Sequence, residues 1–123
     1  MTIERFEDTK AWQEARNLVK MVYEAILENK KFSQDFGLRN QIQRAAVSVM
    51  SNIAEGFGRQ SDRELIQFLT ISRGSVSELQ SQLYIALDLN YIDSVKFNRL
   101  YQKSSDVAKL INGFIRYLRK TRH

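Results

Sequence analysis

From Leu65 to Ala86 the chain sets Leu65, Leu69, Ser72, Val76, Leu79, Leu83 and Ala86 at alternating steps of four and three. That rhythm averages 3.5 residues, the seam of a helix packed along its length against other helices. It is incompatible with the two-residue alternation of a half-buried strand. The sequence also contains no proline. Proline is about one residue in twenty in ordinary proteins and is the commonest helix breaker. A chain without it can run long helices joined by short links.

Three further segments carry a helical period. Trp12, Ala15, Val19, Val22, Tyr23 and Ile26 predict a first helix over 9–29. Residues 30–37 (KKFSQDFG) read as its connection, rich in polar and turn-forming side chains. Leu38, Ile42, Ala45, Ala46, Val49 and Ile53 predict a second helix over 38–56, ending where Gly56 and Gly58 appear. The Leu65–Ala86 seam belongs to a third, over 61–90, opened by a capping box of Ser61 and Glu64. Asp93 caps a fourth over 93–119, with Phe97, Leu100, Tyr101, Ser104, Val107, Ala108, Ile111, Phe114, Ile115 and Leu118 on its stripe. Four amphipathic helices with short links predict an all-α, antiparallel up-down four-helix bundle, one domain over 1–123.

The inventory narrows the chemistry. There is no cysteine, so disulfides, thiolate metal sites and thiol nucleophiles are absent. The single histidine is His123, which removes the Glu-x-x-His pair of di-metal bundles and any Ser-His nucleophile. No phosphate-cradling GxxxxGK[ST] loop occurs, since Gly56-Phe57-Gly58 joins two helices. Glu55 and Glu78 are the only nameable acid–base carboxylates, and neither has an evident partner. No enzyme, cofactor or metal is expected. The first ten residues lack an apolar signal core, and the longest apolar run, Leu83 to Leu87, is far below the roughly 20 residues of a membrane span. A soluble cytoplasmic protein without membrane contact is the expectation.

Charge is uneven along the chain. All 14 acids and 14 of the 19 bases lie in residues 1–106, so the net +5 comes from Lys109, Arg116, Arg119, Lys120 and Arg122. A neutral body thus carries a basic end.

Gln41, Arg44, Ser48, Asn52 and Glu55 form a polar stripe beside the apolar one on the second helix. Ser75, Glu78 and Gln82 answer at similar spacing on the third. The stripes predict either a contact between protomers or with a ligand, or an internal hydrogen-bonded network or solvated face. Gly74 costs about 1 kcal/mol relative to alanine in mid-helix, so close approach of a neighbouring helix is expected there.

Three blocks, FEDTKAWQEARNLV (Phe6 to Val19), QIQRAAVSVMSNIAEGFGR (Gln41 to Arg59) and ELIQFLTISRGSVSELQSQL (Glu64 to Leu83), resemble the signatures of the "four helix bundle protein" family. Its members are also called 23S rRNA intervening-sequence proteins or S23 ribosomal proteins. The accessory variability determinant of diversity-generating retroelements is a relative. Met50 stands where the family usually has proline, so the second helix should be less kinked. The resemblance implies a homo-oligomeric ring, a pentamer, with no catalytic residues. Members encoded within rRNA-gene insertions or beside retroelements suggest nucleic-acid binding.

Two functions follow. In the first, a ring binds RNA or DNA with little sequence preference through Arg116, Arg119, Lys120 and Arg122, with Arg59 and Arg63 as a second set. Tyr117 either stacks on a base or simply belongs to the bundle end. Those cations equally suit solubility and the negative pole of the last helix. In the second, the surface is a scaffold for a partner protein encoded nearby; Ile71, Tyr84, Ile85 and Leu87, off the main seam, serve either this or the oligomer contact, or simply widen the core face.

Overall fold

A computed structural model of the protein describes residues 3–121, whose regular elements are all helices with no strand among them. A 3-10 turn at Phe6–Asp8 leads into α1 (Lys10–Leu27), α2 (Lys30–Gln34), α3 (Phe36–Phe57), α4 (Asp62–Asp88) and α5 (Ser94–Lys120). Residues 30–37, expected to be a connection, instead hold α2 and the first turn of α3. The side chains of Asn29 and Asp35 explain the difference. Each accepts from the backbone amide three residues on, Phe32 at 2.9 Å and Leu38 at 3.1 Å, which is N-cap geometry. Burial of Phe32 then holds α2 against the bundle.

The other caps follow the same logic. Thr9 accepts from Trp12 N at 3.3 Å and Asp93 from Lys96 N at 2.7 Å. Ser61 accepts from Glu64 N at 3.2 Å, but the reciprocal half of the expected capping box is missing. The Glu64 carboxylate takes the Ser61 hydroxyl at 3.4 Å instead of the Ser61 amide.

Hydrogen bonds between helices fix their directions. Ser72 on α4 meets Val49 on α3, and Ser75 meets Ser48, so the two run antiparallel. Arg73 with Asn112 and Gln80 with Ser104 give the same relation for α4 and α5. Lys96 with Glu28 and Lys103 with Glu14 give it for α5 and α1. Both α1 and α4 pack on α3 and on α5, the α3–α4 pairing being the most extensive.

All seven seam residues from Leu65 to Ala86 are buried. Fully burying a leucine is worth about 1.5–3 kcal/mol, so Leu69, Leu79 and Leu83 together contribute about 4.5–9 kcal/mol to the core's driving force. On α1 the stripe sits differently from expectation. Leu18, Ala11 and Ala25 are buried, whereas Trp12 and Val19 are half-buried and Tyr23 is exposed. α1 is apolar over a wide arc, and the positions of α3 and α5 decide which part of that arc is covered. Trp12 is used at the rim, edge-on to Phe6 with ring centroids 5.0 Å apart.

Candidate nucleic-acid interface and polar seam

The polar stripes meet across the α3–α4 contact, but only in part. The hydroxyls of Ser48 and Ser75 lie 2.8 Å apart, and Asn52 donates to both the hydroxyl and the carbonyl of Ser48 at 2.9 Å. Ser72, fully buried in the apolar seam, donates to Val49 O at 2.6 Å. These bonds lock the register of the two helices, because a slip of one residue would bury hydroxyls without partners. Gln41, Arg44, Glu55 and Glu78 remain exposed outside this network. Gln82 is buried at 8% exposure, and its Oε1 has no hydrogen-bond partner.

Glu55 and Glu78 are not brought together. Since Ser75 faces Ser48, Glu78 lies one turn beyond it, roughly 15 Å of helix from Glu55 at 1.5 Å per residue. Glu55 is instead ion-paired with Arg59 at 2.7 Å. Among the described residues no group of three or more His, Cys, Asp or Glu could hold a metal. None of their helices is long and apolar enough to cross a membrane.

Gly56 and Gly74 separate two uses of glycine. A Cβ on Gly56 would sit 2.7 Å from Leu65 Cδ1 and 3.1 Å from Phe68 Cβ, so glycine lets the end of α3 meet the start of α4. A Cβ on Gly74 would meet nothing within 4 Å. The close approach expected at Gly74 therefore does not occur within the chain.

The antiparallel packing gathers both predicted basic sets at one end of the molecule. Phe57 and Phe114, 5.8 Å apart, tie the α3–α4 turn to the last turns of α5. Arg116, Arg119 and Lys120 are exposed there, and among the described residues none is in an ion pair. Arg119 and Lys120 stand in the last turn, where the helix dipole favours cations. Arg63 is exposed in the first turn of α4, between Asp62 and Glu64. Arg59 is already engaged, by Glu55 and by the ring of Phe68 4.8 Å away. Arg122 lies outside the described residues. The end is thus cationic on its α5 side and mixed on its α3–α4 side. Tyr117 is exposed on α5 between these cations.

Sequence reasoning missed the contribution of α4 to this surface. Arg73 reaches across to α5, its Nη1 donating to Asn112 Oδ1 at 2.9 Å. The available signal was the absence of Asp and Glu from 65–77, which matters only once that stretch is seen beside the acid-free end of α5.

No curated protein matches the chain. A crystal structure described as a protein with unknown function from the S23 ribosomal protein family, from Bacteroides thetaiotaomicron VPI-5482, superposes with a TM-score of 0.76. The match covers 85% of this chain and 97% of that one at 21% identity, a likeness of fold. The model of the 23S rRNA-intervening sequence protein family matches residues 7–113, from the 3-10 turn into the last third of α5. Its span takes in the Ser48–Asn52–Ser75 lock, and the chain belongs to that family.

Proposed function

We propose that this protein is a non-enzymatic accessory factor that binds nucleic acid, RNA or DNA, largely independently of sequence, as a cytoplasmic homo-oligomeric ring. Its unit is the antiparallel up-down four-helix bundle of α1, α3, α4 and α5, and the ring is a pentamer, as the family resemblance implies. Arg116, Arg119 and Lys120, exposed together without ion-pair partners among the described residues, carry this reading. Phosphates neutralised by such side chains release counterions, which supplies affinity without reading bases. Three cations per chain bind weakly, but a ring repeats them, and one polymer touching several copies gains avidity.

Self-association is supported by a second seam on α4. Ile71, Ser75, Glu78, Gln82, Ile85 and Leu89 also follow steps of four and three, one residue over from the core seam. Ile71, Ile85 and Leu89 are about half exposed, and Gly74 beside them is open.

Titrating a dye-labelled RNA at several salt concentrations tests binding. The logarithm of affinity should fall linearly with that of salt, and the triple variant Arg116→Gln, Arg119→Gln, Lys120→Gln should flatten the slope by about 2 per chain. A salt-insensitive affinity, or a slope the variant does not change, overturns the reading. Light scattering tests the ring, which a clean monomer at micromolar concentration would remove.

A second reading, a scaffold for a partner protein, is favoured by one observation. Leu27, Phe36, Leu89 and Val95 are all exposed, and antiparallel packing puts them at the end opposite the cations. A partner whose binding is lost in Leu27→Ser, Val95→Ser protein, with RNA affinity unchanged, would favour this alternative.

A further inference from the structure

Two stretches free of carboxylates lie far apart in sequence, residues 65–77 and everything after Asp106. The first is in α4 and the second begins in α5. Because these helices are antiparallel neighbours, the stretches run side by side, joined by the Arg73–Asn112 hydrogen bond. Arg73 from one and Arg116 and Arg119 from the other are exposed along this face. Asn112, Arg116 and Arg119 follow one another by four and three, so they share one side of α5. No acidic side chain from either stretch offsets them, which makes the face a positive strip that continues from the α5 end along the bundle.

The strip changes character as it leaves the cations. Gln80 Nε2 donates to Ser104 Oγ at 2.9 Å and Ser105 Oγ at 3.0 Å, giving a polar, uncharged middle. Beyond it stands an aromatic cluster. The Tyr84 ring lies 4.8 Å from Phe97 and 6.0 Å from Tyr101 by centroid, and Phe97 and Tyr101 are 5.5 Å apart. Phe97 is 8% exposed and anchors the group, while Tyr84 is 51% exposed. Its ring is held by neighbours yet half open to solvent, the condition for a base to stack without ordering the platform first. From Arg116 to Tyr101 is about 22 Å of helix at 1.5 Å per residue.

We propose that this α4–α5 face is a binding track for single-stranded nucleic acid. Phosphates sit on Arg73, Arg116 and Arg119, and an unpaired base stacks on Tyr84. The inference rests on the nucleic-acid reading above and adds strandedness and a site away from the tip. A duplex buries its base faces within its own stack and can use only the cations. An acidic peptide has charge but no base to place on the ring.

The test measures anisotropy of dye-labelled oligo-uridine and of a blunt-ended duplex of similar charge, with the full-length protein at several salt concentrations. Tyr84→Ala should weaken oligo-uridine binding by about five-fold or more, the loss expected for one base–aromatic stack. It should leave the duplex within about two-fold, and Tyr84→Phe should bind like the parent, since either ring offers a face to a base. Arg73→Gln should weaken both ligands and flatten the salt slope. If Tyr84→Ala does not fold by circular dichroism, photo-crosslinking of a 5-bromouracil oligomer to the unaltered protein decides. Attachment at Tyr84 or Tyr101 supports the track, and attachment confined to Tyr117 overturns it. Unchanged oligo-uridine affinity in folded Tyr84→Ala, with loss in Arg116→Gln, overturns the track and leaves the tip reading standing. Equal displacement of oligo-uridine by polyglutamate and by polyuridine also overturns it, by reducing the surface to charge. Absence of any nucleic-acid binding at low salt removes both.

Discussion

The hydroxyl of Tyr91 donates to Asp35 Oδ2 at 2.9 Å, while Asp35 Oδ1 accepts the Leu38 amide that begins α3. One carboxylate therefore both caps a helix and ties down the α4–α5 turn, 56 residues away. The Tyr91 ring adds to the tie by stacking on Phe32 of α2, with centroids 5.3 Å apart and planes at 21°. Asn90, just before it, has φ of 62°, a left-handed turn that asparagine tolerates better than most side chains.

Removing the carboxylate should cost more than removing the hydroxyl. Asp35→Ala loses the cap, about 1 kcal/mol, together with the tyrosine's acceptor. Tyr91→Phe keeps the cap and the ring stack, so its loss should be the smaller. Urea denaturation of both variants checks the order. Hydrogen bonding to Asp35 also raises the Tyr91 phenol above its usual pKa of 10. The folded value lies above the unfolded one, so this stabilisation is complete below about pH 10 and fades as pH rises through the folded value. Tyr91→Phe should remove that alkaline component.

At the α1–α5 contact, Glu14 is lowered from 4.5 to about 2. The hydrogen bond from Lys103 is the largest cause, followed by those from Asn17 and Lys10. Because the folded value is depressed, the contribution to stability is present above the unfolded pKa of about 4.5 and is lost as pH falls toward 2. Lys103→Met should raise the Glu14 pKa in an NMR titration. It should also reduce the dependence of stability on pH in that window.

The two helical glycines should respond in opposite directions. Gly56→Ala drives a Cβ to 2.7 Å from Leu65 Cδ1 and 3.1 Å from the Phe68 Cβ, so thermal stability should fall by about 1–3 kcal/mol, the usual cost of overpacking. Gly74→Ala meets nothing within the chain and should stabilise the folded subunit by about 1 kcal/mol. If assembly uses the open side of α4, the same change should weaken it. Denaturation and light scattering on one sample separate the two effects.

Gln82 is a buried amide whose Oε1 has no hydrogen-bond partner. Gln82→Met keeps a similar length and removes the desolvated carbonyl, so stability should hold or rise by about 1 kcal/mol. A clear loss in urea denaturation would mean that this oxygen is satisfied in the assembled protein.

Much of the helical plan was readable from local rules. The Leu65–Ala86 rhythm and the caps at Ser61 and Asp93 are properties of nearby residues; the seam is buried and both caps accept their amides, although Glu64 does not complete the box with Ser61. The misread segments depend on distant partners. Residues 30–37 have local caps at Asn29 and Asp35 yet look like a loop until Phe32 is seen stacked on Tyr91, and Trp12 looks like core until Leu18 is seen buried and Trp12 only half so. The candidate site divides the same way. The excess of bases after Asp106 and the i,i+4 spacing of Glu55 and Arg59 are visible in the chain, but the Phe68 ring beneath Arg59 is not.

By itself, then, the amino-acid order determined that the chain is helical, roughly where each long helix begins and ends, and that its positive charge collects at one end. Periodicity, capping and composition act over a few residues, so they survive without knowledge of the fold. Only the tertiary structure decided which polar residues are bound to each other, as in Ser48 with Ser75, and which remain exposed, as with Arg44 and Glu78. It alone set Arg73 beside Asn112 and Tyr84 beside Phe97. Those neighbours are 39 and 13 positions apart, and their meeting depends on the direction and register in which whole helices pack.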